Sequence, residues 1–438
     1  MGAFDRNLAS RLYADQPAPA WIEALREASR TNWAALPWPT RKTEAWKYTA
    51  LDVLDETDFL RRATVAAPQF DAAALIPGLD ADRIVFVNGV YQPTLSSVTE
   101  QPGVRVLNFR ALGPDDRAQI DAALGRLSEG SDNPFSTLNG CWLDDGVLLH
   151  VGTGVRALRP LHVVHVGAPQ QHPFAYAQRL LAVLERGADV DLIEQFIDLP
   201  GAGESLVSGL SELRVGEGAR LGHYRLQVED ERAIHLGAIH VELARDARCE
   251  GLLFALGSTL KRIDFNVCHR GRGASCRLDA IYLARHRQHI DLHTSVEHEE
   301  GYATTEQVCR GIIDDAAHAV FNGRIHIHPQ AQKSSADLSN RNLLLSNEAE
   351  VDTKPELEIY ADDVRCSHGA TVSRIDGKSL YYLLTRGIGR HEAEVLLGYG
   401  FLNELVSRVG NEALAVAFRD VARRWLGRQE NPDLGVVP

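Results

Sequence analysis

Residues 317–375 read AHAVFNGRIHIHPQAQKSSADLSNRNLLLSNEAEVDTKPELEIYADDVRCSHGATVSRI, and this stretch decides the fold. Its short apolar runs, Ile325–Ile327, Leu343–Leu345 and Leu357–Tyr360, are separated by small and polar turn residues and show no helical period. Such runs read as strands. Near the end stands Cys366-Ser367-His368. On a strand, residues i and i+2 project to one face, so this thiol and imidazole point toward one region of space. Both are metal ligands of soft or borderline character. A half-buried cysteine beside a surface histidine gives the same triplet, so spacing alone leaves both readings open.

The same texture extends backward to about residue 133, through VLLHV, LHVVHV, VDLIEQFI, GHYRLQV, AIHVEL and LLFAL. Several intervening turns share a small-residue pattern whose central alanines, Ala188, Ala219, Ala247 and Ala274, recur every 27 to 31 positions. A period of that size with strand-sized units predicts stacked coils, a β-helix whose inward side chains form one apolar column. After Ile375 the period becomes helical. Ser379–Arg386 ends at Gly387, Glu392–Ser407 follows, and Asn411 is placed to cap a third helix with Leu414, Phe418, Val421 and Trp425 on one face.

Ahead of the coils, residues 1–132 read as a helical and mixed region. Trp21, Leu25 and Ala28 mark a helical stripe after Pro19, with Arg26 off it. Trp38, Trp46 and Tyr48 are expected in the core. Val85–Val87 and Val90–Tyr91 flank Asn88-Gly89, the signature of a type I′ hairpin. Three domains follow: 1–132, a β-helix core over 133–375, and a small helical domain over 376–438.

The 438 residues carry a net charge of −13, which argues against a nucleic-acid footprint. No apolar run reaches bilayer-spanning length, and the N-terminus MGAFDRNLAS has no signal-peptide apolar region. The six cysteines are scattered without a C-x-x-C, as expected of a cytoplasmic chain with reduced thiols.

Two other motifs compete for function. In HRQHIDLHTSVEHEE, strand alternation puts His289, Asp291 and His293 on one face, the donor set of a stand-alone metal-dependent enzyme. Neighbouring same-face side chains on a flat strand stand about 6.5–7 Å apart, which makes a three-ligand convergence awkward. Gly377-Lys378-Ser379 ends like a phosphate-binding loop, but that loop needs glycine at position 372, which is Val372. This chain is therefore not expected to hydrolyse ATP.

The words FNGRIHIHPQAQKSSADLSNRNLLLS, EAEVDTKPELEIYADDVRCSHGATV and YYLLTRGI closely resemble the SufB/SufD family of iron–sulfur cluster assembly proteins, most of all its SufD branch. The resemblance is densest from Ala317 to Ile388 and extends more loosely over most of the chain. It implies a right-handed parallel β-helix and a non-catalytic scaffold subunit that contributes to iron acquisition and cluster formation. It also implies two partners: a SufB-like paralogue paired through the last rungs, and a SufC-like ABC-type ATPase docked on the C-terminal helices. Cys366 and His368 then lie at the junction of the two paralogues. Two ligands are too few for a cluster that normally takes four, so iron or a cluster would be transient and shared with the partner chain, with none tightly bound in the isolated chain. A homodimer of the isolated chain is a further expectation. The apolar positions of the last helices exceed what three short helices bury among themselves, which nominates Tyr381, Leu397 and Phe401 for the ATPase surface. SufB-like chains carry an additional sulfur-accepting cysteine. Cys249, Cys268, Cys276 and Cys309 match no such word and read as small buried rung residues.

Overall fold

The computed structural model describes residues 12, 18–61, 68, 70, 75–113, 116, 123–129, 131 and 133–428; the N-terminal decapeptide lies outside them. The helices are α1 (Ala20–Ala35), α2 (Val53–Glu56), α3 (Pro134–Trp142), α4 (Gly377–Thr385), α5 (Arg390–Val406) and α6 (Glu412–Leu426). The first strands are β1 (Leu60–Arg61), β2 (Asp82–Val87), β3 (Val90–Tyr91), β4 (Val104–Asn108), β5 (Val147–Val151) and β6 (Leu161–Gly167). Next come β7 (Phe174–Leu184), β8 (Asp189–Asp198), β9 (Ser205–Val215), β10 (Arg220–Val228), β11 (Ile234–Leu243), β12 (Arg248–Leu256) and β13 (Leu260–His269). The last are β14 (Ser275–Ala284), β15 (His289–His298), β16 (Thr304–Ile313), β17 (His318–Ile327), β18 (Ser335–Leu344), β19 (Glu350–Ile359) and β20 (Arg365–Arg374).

From β5 onward successive strands alternate between two sheets, and each pairs in parallel with the strand two places on. That connectivity is a coil: the chain crosses one sheet, turns, crosses the other, and returns one rung further along. Sheet one runs β4-β5-β7 and on through the odd strands to β19; sheet two runs β3-β2-β6 and on through the even strands to β20. The architecture is thus a parallel β-solenoid with helices at both ends of the chain.

The alanine period has a local cause. The N–H groups of Ala188, Ala219, Ala247 and Ala274 each donate to the carbonyl three residues back, closing a turn. The residues just before them, Gly187, Gly218, Asp246 and Gly273, have positive φ, which glycine and aspartate adopt at least cost. Each alanine methyl then points into the column, fully buried, where a larger side chain would displace the strands on either side. Between turns, alternate residues such as Ile290, Leu292, Val296, Ala319, Phe321 and Ile325 fill that column.

The outer faces are covered unequally. On sheet two, Leu252, Phe254, Ile281, Leu283 and Ile312 are sealed by Leu402, Leu405, Leu414 and Phe418 of α5 and α6, with Phe254 and Phe418 stacked at 5.6 Å. On sheet one, Leu206, Leu236 and Leu260 are covered by Trp33, Trp46, Phe135 and Leu138. Of the aromatics expected in the core, Trp46 is buried there and Trp38 packs half-buried against it, whereas Tyr48 is half-buried and lines a surface cleft instead. The hairpin forms as expected, with positive φ at Asn88 and Gly89. Asn411 caps α6, its side chain accepting from the Leu414 N–H. Asp376 caps α4 through the N–H groups of Lys378 and Ser379, so the Gly-Lys-Ser word is a helix start. No helix among the described residues is long and apolar enough to cross a membrane.

The reading of α1 needs correction. Its buried face carries Ile22, Arg26, Ser29 and Trp33, while Trp21 and Leu25 are half-buried and Ala28 is exposed. Arg26 is fully buried because its guanidinium finds Glu23, Asp144 and the Leu143 carbonyl, so a charge enters the interface with its hydrogen bonds satisfied.

Candidate functional site

The solenoid ends on β19 in sheet one and on β20 in sheet two, and β20 pairs on one side with β18 and on the other with no strand among the described residues. In the register, Cys366 stands beside Ala336 and His368 beside Leu338, both of them inward-facing core residues. The Cys366 thiol and the His368 imidazole therefore project toward the axis of the column, at its open end. With no next rung above, Cys366 is half-buried, His368 is exposed, and every other residue of β20 is exposed. Burial and the neighbouring Asp337 carboxylate push the Cys366 thiol up, against a backbone hydrogen bond to Ala336 that lowers it, so the free side chain is a thiol at neutral pH. A metal that displaces this proton converts it to the thiolate ligand. Val372 and Ile359 add exposed apolar surface at the same end.

The rival constellation has a different environment. Asp291 is fully buried on the outer face of sheet one, where Arg262 and His293 each approach it at 3.0 Å and the Thr49 hydroxyl donates at 2.5 Å. Desolvation opposes its charge, but the His293 and Arg262 contacts outweigh this and hold its carboxyl well below the usual range. His289 turns to the Thr49 hydroxyl instead, at 3.0 Å, and burial pushes its pKa down to about 4, leaving it neutral. Arg262 also lies 3.8 Å under the Trp46 ring. A guanidinium already fills the place a cation would take, so His289, Asp291 and His293 are not drawn together as one ligand set.

The C-terminal candidates occupy three environments. Tyr381 is 68% exposed on α4, a helix with no buried residue, and Tyr382 beside it is 56% exposed. Leu397 is half-buried on α5. Phe401 is half-buried against the outer face of sheet two, with the Arg310 guanidinium 5.5 Å from its ring centre.

Among the rung cysteines, Cys249, Cys276 and Cys309 are buried, as expected. Cys268 departs from that expectation: it faces outward and donates to Glu299. Strand parity explains the difference, since Cys268 stands in the register row of Glu297 and His326.

Two further groups were not found by motif reading. Glu297, His326 and His328 form one, and His318, Glu350 and Asp352 the other; within each, the candidate ligand atoms lie within 4.8 Å of one another. Each group spans two adjacent rungs: Glu297 of β15 meets His326 and His328 at the end of β17, and His318 of β17 meets Glu350 and Asp352 of β19. The signal in the sequence was the outward parity of His318, His326 and His328, but the partners depend on register.

Residues 166–401 match the family model described as SUF system FeS cluster assembly, SufBD core domain, and residues 8–163 match that of the SufBD protein N-terminal region. The chain is similar to the iron–sulfur cluster assembly protein SufD of Escherichia coli (strain K12), with 35% identity over 381 residues covering 86% of each chain. It is 28% identical over 396 residues to an iron–sulfur cluster assembly SufBD family protein of Synechocystis sp., covering 88% of this chain and 86% of that one. With SufD of Bacillus subtilis (strain 168) it shares 25% identity over 422 residues, 93% of this chain and 94% of the relative.

Proposed function

This chain belongs to the SufBD family of SUF system iron–sulfur cluster assembly proteins, and from that premise we propose that it is a non-catalytic scaffold subunit of a cytosolic SufBCD-like complex. The observation that carries this reading is the uncovered last rung. An unpaired strand edge with apolar inward residues exposed is an association surface that a soluble protein otherwise caps. A SufB-like paralogue laying its own last strand along β20 would continue sheet two across both chains. It would also close the column over Cys366 and His368, where iron or a nascent cluster, the cargo of the assembly, would be held by ligands from both chains. Isolated, the same edge could pair with a second copy.

The ATPase role falls to a SufC-like partner, with α4 as its dock. Tyr381 and Tyr382 offer two large exposed rings on a helix that contributes nothing to the core. Leu397 and Phe401 would act from behind, by holding α5 against the solenoid.

The test is co-expression with the SufB-like and SufC-like partners, comparing wild type, His368→Ala and Cys366→Ala. The His368 variant should assemble and bind ATP normally but hold little or no cluster after anaerobic reconstitution, with the Cys366 variant equal or milder. Wild-type cluster content in both variants, in complexes of intact stoichiometry, would refute the junction assignment. Loss of the complex itself would make the pair structural.

A further inference from the structure

On the outer face of sheet one, His318 of β17 stands together with Glu350 and Asp352 of β19, the terminal strand of that sheet. In the register, His289, His318 and Glu350 form one row across β15, β17 and β19, and Asp352 follows two residues later on the same face. His318 Nε2 lies 2.9 Å from Asp352 Oδ2, and one ligand atom from each of the three residues falls within 4.8 Å of the others. The His289 ring packs edge-on against His318 at 4.8 Å and fixes its plane. These groups line an open cleft of about 530 Å³, together with Tyr48 and Arg41. Arg41 is turned to the Lys47 carbonyl, to which its Nε donates.

The charge pattern around this cleft is uneven. On the same face, Asp291 is paired with Arg262, Glu297 and Glu358 with Arg324, and Glu356 with Lys354. Among the described residues, Asp352 has only His318 as an ionic partner, and Glu350 has none within ion-pair distance. Two carboxylates and an imidazole thus face one cleft without an arginine or lysine between them. The other three-residue group makes the contrast plain. There, Arg324 donates to both Glu297 and His326 Nδ1, so a protein cation already sits among the donors.

We propose that His318, Glu350 and Asp352 form a site for a divalent transition-metal cation of the Fe²⁺, Mn²⁺, Co²⁺ or Zn²⁺ kind. One imidazole nitrogen with carboxylate oxygens selects such borderline ions over Ca²⁺ and Mg²⁺, which prefer all-oxygen shells. Bonds of about 2.0–2.2 Å require the three donors to draw in by small side-chain rotations. Three protein ligands leave positions open to water, so the ion is exchangeable. The neutral His289 behind His318 acts as a positioning group.

The inference stands apart from the scaffold reading, because its test uses the isolated full-length chain, without an affinity tag, and the metal alone. Co²⁺ binding is followed by its visible absorption and by calorimetry in wild type, His318→Ala, the near-isosteric Glu350→Gln/Asp352→Asn pair, and His326→Ala. One Co²⁺ should bind per chain, weakened about tenfold or more in the first two variants and unchanged in the third. Zn²⁺ should compete with Co²⁺, and Mg²⁺ should not. Absence of binding, binding that survives both site variants, or loss in His326→Ala instead would overturn the proposal. The same holds if all binding follows Cys366→Ser. Since the paired amide variant preserves shape, a folding defect confined to His318→Ala leaves the result readable.

Discussion

Replacing Arg262 by alanine tests how the N-terminal segment is clamped to the solenoid. The guanidinium is 2% exposed and has five partners: Asp264 and Asp291 at 3.0 Å each, the Ala45 carbonyl, His293 Nδ1 at 3.4 Å, and the Trp46 ring at 3.8 Å. Removing it strands the fully buried Asp291 carboxylate, a loss that costs about 3–5 kcal/mol when a buried ion pair is broken from one side. The lost contact with the Trp46 face adds up to about 2 kcal/mol. Three donors soften the damage: His293 stays 3.0 Å from Asp291, the Thr49 hydroxyl still donates to it at 2.5 Å, and the Asn133 amide still reaches Asp264 at 2.8 Å. The expected net loss is about 3–5 kcal/mol. Urea unfolding followed by tryptophan emission, to which Trp46 contributes with five other tryptophans, and by circular dichroism measures it. Asp291→Asn in the same background removes the stranded charge, so the double variant should be more stable than the sum of singles by about 2 kcal/mol. A loss below about 1 kcal/mol in Arg262→Ala, or strict additivity in the cycle, would refute the clamp.

Two further outcomes concern the core and the C-terminal helices. His162 is fully buried; Arg83 Nε donates to its Nδ1 at 3.1 Å, so the ring proton sits on Nε2 and is given to Gln195. Burial, then the Arg83 charge, push its pKa down to about 3, well below the unfolded value near 6.5. Between those values the unfolded chain binds the extra proton, so stability falls as pH drops below about 6.5 and stops falling near the folded value. This one group should remove roughly 2–3 kcal/mol between pH 7 and pH 4.5, and His162→Gln should flatten that part of the urea-midpoint profile; an unchanged slope would contradict it. Phe418→Ala should cost about 3–5 kcal/mol through the cavity left over Phe254, and should expose α5 and α6 to limited proteolysis while the strand signal persists. Unchanged protease resistance would show that the helices are held elsewhere.

That dependence also bears on how an ATPase dock can be probed. Deleting everything after Ile375 would strip Phe254, Ile281 and Ile312 of their cover, so loss of partner binding would be confounded with damage to sheet two. Substitutions at the exposed Tyr381 and Tyr382, the latter with only the Arg386 guanidinium, 5.1 Å from its ring centre, as a ring contact among the described residues, should leave the fold intact.

The features legible in the sequence were those written in local chemistry. The solenoid showed itself because in four successive coils a positive-φ residue precedes a buried alanine, at Gly187-Ala188, Gly218-Ala219, Asp246-Ala247 and Gly273-Ala274. The Asn88-Gly89 hairpin, the Asn411 cap and the apolar stripe of α6 were readable for the same reason: each is decided by residues a few positions apart. The long words around Cys366 and His368 carried the family. What tertiary structure alone decided depends on partners distant in the chain. Arg26 is buried because Asp144 waits for it, against any reading of the α1 stripe. Asp291 already has a cation beside it because Arg262, one rung away, and Thr49, from the N-terminal segment, both meet its Oδ2, while His293 faces Oδ1. His318 meets Glu350 and Asp352 because the length of the intervening coil sets the register, and a one-residue change there would turn the set inward. Side-chain parity can be counted along one strand, whereas the neighbour across the ladder is set by every turn between the two.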